Sequence, residues 1–125
     1  MNTFEFWFRK EYEPLIRSHE LTQFVRPGVR LAPQPKGTKV GDEVSIRFLE
    51  KPGTANSKAI LNSFTANAVV IKLEVKQIQE MEAADFEGTS PDAASITGII
   101  AQLQRIYERP CSLHDTVTVF KIFYL

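Results

Sequence analysis

The segment from Val69 to Gln77 restricts the fold more than any other part of the sequence. Its odd-numbered residues from Val69 to Val75 are all apolar, whereas the charged residues Lys72, Glu74 and Lys76 occupy even-numbered positions. Successive side chains of a strand point to opposite faces, so this alternation predicts a strand with one apolar and one charged face. A strand of this kind needs neighbours that cover its apolar face.

Four further segments supply those neighbours. Residues 4–8 alternate phenylalanine with polar or amphipathic side chains. In residues 43–50, Val44, Ile46 and Phe48 alternate with Ser45, Arg47 and Leu49. Both patterns predict strands. A brief strand is expected over residues 22–26, where Pro27 and Gly28 end it. Residues 116–125 are apolar at both parities, which predicts a strand that is covered on both faces.

Two helices are expected among these strands. Residues 11–18 carry apolar side chains at helical spacing, with a proline that fits the first turn. Ser90-Pro91-Asp92 resembles a helix start, and the apolar residues from Ile96 to Tyr107 form one face of a longer helix that Pro110 stops. The strands do not alternate with long helices, so the order predicts an α+β fold, a small mixed or barrel-like sheet flanked by two helices. With 125 residues, the chain is expected to form a single domain over residues 1–125.

The charge distribution is uneven although the total is zero. The 15 basic and 15 acidic residues cancel, which argues against nucleic-acid binding through bulk charge. Residues 17–39 hold five cations and one glutamate, a local charge of +4, and residues 72–92 hold two cations and six carboxylates, a local charge of −4. Either a cationic loop over residues 27–41 meets phosphate or another anion and faces a carboxylate-bearing wall, or the two segments are solvated surfaces that compensate each other.

Several functional classes are disfavoured by the residues present. The single cysteine, Cys111, allows no internal disulfide and, with two histidines, no cysteine-based zinc site, so neither a metal nor a cofactor is expected. Residues 1–10 are too charged for a signal peptide, and no apolar run approaches the ~20 residues that cross a bilayer. A cytoplasmic location without membrane contact is therefore expected. Ser112 to Asp115 combine serine, histidine and aspartate, but residues this close in sequence favour a polar turn over a catalytic triad.

The residues between Tyr12 and Asp42 resemble a known family. The spacing Tyr12-x-Pro-Leu-Ile-x-Ser-x-x-x-Thr22-x-x-x-Arg26, followed by Lys39-x-Gly-Asp42 at the start of a strand, is similar to the ASCH family of the PUA-like superfamily. The resemblance extends to the acidic Ala-Asp-Phe-Glu-Gly connection at residues 84–88 and to the helix and strand after it. It implies a small PUA-like mixed β-barrel flanked by two helices that binds single-stranded RNA or a nucleotide-like ligand.

The family motif is altered in this chain. Its pattern Gly-x-Lys-x-x-Glu/Thr-x-Arg is matched here by His19, Leu21, Phe24 and Arg26, so only the arginine remains. One branch of the family hydrolyses the amide of acetylated cytidine with a lysine, a threonine and a glutamate, and the position of that glutamate falls near Asp92. Because Leu21 and Phe24 can neither activate nor supply a nucleophile, the resemblance does not carry this chemistry over to the chain.

The leading hypothesis is a binding domain for RNA or a nucleotide, in which Arg26 forks onto a phosphate or a base edge. Structural roles remain open: an ion pair for Arg26, an exposed helix end for His19 and a first-turn carboxylate for Asp92. The alternative functions are a hydrolase acting on nucleosides or RNA, either amidohydrolase or ribonuclease-like, and a protein-interaction module without a small ligand. The candidate binding residues are Trp7, His19, Thr22, Arg26, Arg30, Lys36 and Lys39, and the candidate catalytic residue is Asp92.

Overall fold

The computed structural model describes residues 4–32 and 37–125. The strands in these residues are β1 (Phe4–Arg9), β2 (Gln23–Pro27), β3 (Glu43–Lys51), β4 (Ile60–Gln77) and β5 (Thr116–Tyr124). The α-helices are α1 (Glu13–Arg17) and α2 (Ile96–Tyr107). Short 3-10 turns lie at Lys10–Tyr12, Ile78–Glu80, Ala83–Phe86 and Pro91–Ala93.

The strands form one sheet in the order β1-β3-β4-β5-β2. β1 runs parallel to β3, and all other neighbours are antiparallel. The sheet curls until its two edge strands face each other. Phe6 of β1 packs edge-on against Phe24 of β2 with ring centroids 5.3 Å apart, and the Arg26 Nη2 donates to the Trp7 main-chain oxygen at 3.0 Å. This arrangement confirms the predicted α+β class, a small curled sheet flanked by two helices.

Two apolar clusters hold the sheet and helices together. One fills the inside of the curl and includes Ile46 and Phe48, and the other lies between the sheet and α2 and includes Ile99 and Leu103. β5 contributes to both clusters, because Phe120 faces the first and Val119 the second. The prediction that this strand is covered on both faces is therefore confirmed for residues 117–122, whereas Phe123 and Leu125 are 62% and 65% exposed.

The apolar face predicted for residues 69–77 is wrong in part. Val70 is fully buried, whereas Ile71 and Val75 are 46% and 37% exposed. The pairing of β4 with β5 shifts by one residue between Val70 and Lys72. A β-bulge at Ile71 therefore changes which parity faces the core, and Leu73 packs against the core after it. Alternation in the sequence continues through a bulge and does not reveal it.

The predicted start of the second helix is also corrected. The sequence indicated Ser90 as the cap, but residues 91–93 form a separate 3-10 turn. The first residue of α2 is Ile96, and the Ser95 Oγ accepts a hydrogen bond from the Gly98 N–H at 3.0 Å. Asp92 consequently lies before the helix and not in its first turn. None of the helices within residues 4–32 and 37–125 is long and apolar enough to span a membrane.

Candidate binding cleft

A cleft of about 280 Å³ lies where the two sheet edges meet α2. Sites for small molecules typically measure about 300–1,000 Å³, so this cleft has room for a ligand at the lower end of that range. β1 and β2 are the edge strands of the sheet, which leaves a seam between them. The lining combines strand residues with residues of α2, among them Trp7, Phe8, Phe24, Arg26, Gln102 and Tyr107.

Arg26 is the central polar group of this seam. Its guanidinium carbon lies 4.5 Å from the ring centroid of Phe8 and 5.2 Å from that of Phe24. In the described part of the chain, no carboxylate comes within ion-pair distance of this side chain, and its Nη2 donates only to the Trp7 main-chain oxygen. Desolvation lowers the pKa of Arg26, the Tyr107 side chain beside it acts to raise the pKa, and the nearby positive charge of Arg30 adds to the lowering. An arginine nevertheless keeps its charge at neutral pH, so the cleft holds an uncompensated cation.

Trp7 lines the same cleft from β1. It is 46% exposed, and its indole N–H donates to the Glu5 Oε1 at 3.0 Å. Phe8 is buried beside it. The seam therefore offers one accessible aromatic ring next to a cation that lies on two buried rings.

A hydrogen-bonded network supports another wall of the cleft, where Tyr12, Ser90 and Gln102 belong to the lining and Asp92 and Arg105 do not. The Tyr12 hydroxyl donates to the Asp92 Oδ2 at 2.6 Å and accepts from the Gln102 Nε2 and the Arg105 Nη2, both at 2.9 Å. Asp92 also accepts from the Ser90 Oγ at 2.5 Å and pairs with Arg105 at 3.0 Å. The network joins the segment before α1 to the turn before α2 and to α2 itself.

This network stabilises the charged form of the Asp92 carboxylate. Desolvation acts to raise the pKa of Asp92, but the hydrogen bonds from Ser90 and Tyr12 and the charge of Arg105 outweigh it and lower the pKa. Desolvation and the bond to Asp92 raise the pKa of Tyr12. Both carboxylate oxygens already accept hydrogen bonds, which favours a role for Asp92 in holding the wall over a role as a general base.

Two other candidates, His19 and Thr22, lie away from the cleft lining. His19 is exposed, has a positive φ of 62° and stacks on the Tyr124 ring with centroids 4.2 Å apart. Thr22 lies against Gly88, and its main-chain oxygen accepts from the Ile122 N–H at 2.9 Å. Gly88 itself has φ of 73°, so this turn tolerates few side chains.

The described residues of the basic loop, 27–32 and 37–41, are not among the residues that line the cleft. The Arg30 main-chain N–H donates to the Thr118 Oγ1, and its Nε donates to the Pro27 oxygen, both at 2.9 Å. Lys39 is exposed in a turn where the Asp42 Oδ2 accepts from its main-chain N–H at 3.0 Å. Lys36 lies outside the described residues. Trp7 and Arg26 are thus the predicted binding residues that the fold brings into the cleft lining.

Two carboxylates of the acidic segment pair with lysines of the same segment. Asp85 is 2% exposed and pairs with Lys76 at 2.9 Å, and Glu74 contacts both Lys72 and Lys76 at 3.0 and 2.9 Å. Desolvation acts to raise the pKa of Asp85, but the Glu82 N–H and the Lys76 ammonium lower it overall. The described contacts therefore give Asp85 and Glu74 partners within their own segment, in place of the predicted wall facing the basic loop. Ser112 and Asp115 hydrogen-bond each other within a turn before β5.

Gln23 is a cleft residue that the sequence analysis missed. It is 1% exposed, and its Nε2 donates to the main-chain oxygens of Ala84 and Glu87 at 2.9 and 2.8 Å. Among the described residues, no donor reaches its Oε1. Arg9 also lines the cleft, where its Nη2 donates to the Ile106 oxygen at 3.0 Å. The polar amide between Leu21 and Phe24 is the sequence signal that could have indicated Gln23.

Comparisons with known proteins add a fold relationship. No family model matches the sequence, and no curated protein matches it either. One similar solved structure is that of protein EF3133 from Enterococcus faecalis V583, described with the family model DUF984. The two share 10% identity at a TM-score of 0.62, over 100% of this chain and 82% of that one. A likeness at this identity establishes the fold alone.

Proposed function

We propose that this protein binds a nucleotide or a short segment of single-stranded RNA in the cleft between β1, β2 and α2. The observation that carries the proposal is the Arg26 guanidinium, which lies in the cleft on two aromatic rings without a carboxylate partner among the described residues. A half-buried cation without a counterion is costly in the folded protein. Binding an anion would recover that cost.

The groups around Arg26 match the parts of a nucleotide. A guanidinium presents a planar fork of donors that fits phosphate oxygens or a base edge. Trp7 offers an accessible ring for base stacking, the interaction that single-strand binders use. The charge of Arg30 acts on Arg26 and adds to the positive potential. The volume of about 280 Å³ suits one nucleotide unit and not a duplex.

The ASCH resemblance supports the same proposal. It places the retained motif arginine at Arg26, which is the residue that lines the cleft. The positions of the catalytic lysine and threonine are instead occupied by Leu21 and Phe24, both buried in the core. Together with the engaged oxygens of Asp92, these residues favour binding over hydrolysis.

The single tryptophan makes the proposal directly measurable. Because Trp7 is the only tryptophan and lines the cleft, its fluorescence reports on occupancy. We expect titration with nucleoside monophosphates and short single-stranded RNA to change this fluorescence, with an affinity that falls as salt rises. Arg26→Ala should weaken binding by about tenfold or more, because it removes a charged hydrogen-bond donor.

Arg17→Ala is the matched control. Arg17 also lies over a ring, 4.0 Å from the Phe64 centroid, but it pairs with Glu13 at 2.7 Å and lies outside the cleft lining. This variant should bind as the unaltered protein does. No fluorescence change and no calorimetric heat with any of these ligands at low salt would overturn the proposal.

A further inference from the structure

Gln23 places a buried hydrogen-bond acceptor at the cleft that no donor within residues 4–32 and 37–125 satisfies. The side chain is 1% exposed, and its Oε1 lacks a donor among the described residues. A buried acceptor without a partner is rare in folded proteins and marks either a strained position or a place for another molecule. Gln23 lines the cleft, which points to the second explanation.

The orientation of this amide is fixed by its surroundings. Its Nε2 donates both hydrogens, one to the Ala84 oxygen at 2.9 Å and one to the Glu87 oxygen at 2.8 Å. Exchanging the amide nitrogen and oxygen would set an oxygen against two carbonyl oxygens, so the reverse orientation is excluded. Oε1 is therefore the atom that lacks a partner, whichever ligand enters.

The neighbouring hydroxyls cannot take the place of a ligand. Thr89 and Ser90 both line the cleft beside Gln23. The Thr89 Oγ1 donates to the Phe86 oxygen at 2.8 Å, and the Ser90 Oγ donates to the Asp92 Oδ1 at 2.5 Å. Each hydroxyl has a single hydrogen, which is already used. Neither hydroxyl therefore supplies the missing donor.

We propose that Gln23 is a specificity-determining residue of the cleft, whose Oε1 accepts a hydrogen bond from the exocyclic amino group of an adenine or cytosine base. This inference rests on the nucleotide binding proposed above. The amino group lies at the tip of these bases, opposite the sugar, and it donates; uracil and hypoxanthine carry an oxygen there, which would face the Gln23 oxygen acceptor to acceptor. Oε1 has almost no solvent-accessible surface, so a base tip reaches it only by displacing the side chains that cover it.

Gln23 and Arg26 are three residues apart on β2, about 10 Å along an extended chain. Their side chains leave opposite faces of this edge strand, so a ligand that meets both must pass around the strand edge, which the cleft includes because both residues line it. A nucleoside monophosphate bridges such a span between its base and its phosphate. The base end then meets the acceptor of Gln23 while the phosphate end meets the cation of Arg26.

Two ligand pairs that differ at this one group test the assignment. We expect calorimetric titration to give tighter binding of AMP than IMP, and of CMP than UMP, each by about tenfold or more, because the oxygen analogue leaves the acceptor unpaired. Gln23→Met, which keeps the length and removes the acceptor, should abolish both preferences. Gln79→Met is the matched control at an exposed glutamine outside the cleft lining, and it should keep them.

A measurement on the unaltered protein covers the case in which Gln23→Met fails to fold. N6,N6-dimethyl-AMP lacks the amino hydrogens, and it should bind as weakly as IMP or more weakly. Equal affinities within both ligand pairs, or a preference that survives in a folded Gln23→Met variant, would overturn the role of Gln23 alone. Absence of binding by all five nucleotides would overturn the proposed function together with it.

Discussion

The seam that holds Arg26 and the wall that holds Asp92 border one cleft, yet the charges in the wall form ion pairs and the charge of Arg26 does not. In the wall, Arg105 pairs with Asp92 at 3.0 Å and with Glu11 at 2.7 Å. In the seam, Arg26 has no carboxylate within ion-pair distance among the described residues, and it contacts the Trp7 main-chain oxygen, two rings and the Tyr107 side chain. The difference separates charges that the fold has already compensated from a charge that it leaves available.

This contrast predicts a separation of effects. Changes in the wall should lower the free energy of unfolding, because they strand hydrogen-bonding partners inside the protein. A change at Arg26 should act mainly on ligand affinity. Each of the following experiments measures unfolding in urea, and each has a result that would contradict this division between stability and affinity.

The largest loss of stability is expected for Tyr12→Ala. Tyr12 is 7% exposed and packs against Phe8 with ring centroids 6.5 Å apart. Removing a buried aromatic ring should cost about 3–5 kcal/mol of the free energy of unfolding. Tyr12→Phe keeps the ring and removes only the hydroxyl of the network, for a loss of about 1–3 kcal/mol. A Tyr12→Phe variant as stable as the unaltered protein would show that the wall is not held by its hydrogen bonds.

A smaller loss is expected for Gly98→Ala. A Cβ at this position would lie 2.6 Å from the main-chain oxygen of Asp92, so α2 must move away from the preceding turn. The expected cost is about 1–3 kcal/mol, although alanine favours a helix more than glycine does. Ala101→Gly, at an exposed site on the same helix, measures that propensity alone, about 1 kcal/mol. A stabilised Gly98→Ala variant would mean that the helix and turn are not in close contact.

Local patterns predicted most of the fold, and they failed where distant contacts decide. Alternation and helical spacing indicated part of each described strand and both helices, but residues 60–68, the half of β4 that pairs with β3, were not predicted as a strand. The bulge at Ile71 was hidden because it depends on how β4 pairs with β5. Arg26 was predicted through a short motif. Tyr12 and Asp92 are 80 residues apart in sequence, so no local spacing could have joined them.

The free energy of unfolding at acidic pH offers a third test of the wall. The pKa of Asp92 is lowered in the folded protein, so the folded state binds the proton more weakly than the unfolded chain does. The carboxylate therefore contributes stability above its ordinary pKa of about 4, and this contribution is lost as pH falls through the lowered value.

The same test needs a control for the buried Asp85, whose pKa is also lowered. Asp92→Asn should flatten the fall in stability between about pH 5 and pH 2 only in part, because Asp85 continues to titrate. The effect should be smaller than that of Gly98→Ala, since the Asp92 side chain is 40% exposed and solvent screens its interactions. An unchanged pH profile would show that the Asp92 charge contributes nothing to the wall.

The smallest change in stability is expected for Arg26→Lys, and it tests the contrast most sharply. A lysine keeps the charge over Phe8 and Phe24, so the free energy of unfolding should change by less than about 1 kcal/mol. It loses the planar fork that holds two phosphate oxygens at once, so nucleotide affinity should still fall by about tenfold. Arg17→Lys, beside Glu13, should leave affinity unchanged. If Arg26→Lys instead lowers stability as much as Tyr12→Phe and leaves affinity intact, the seam is structural, and the uncompensated charge serves the fold and not a ligand.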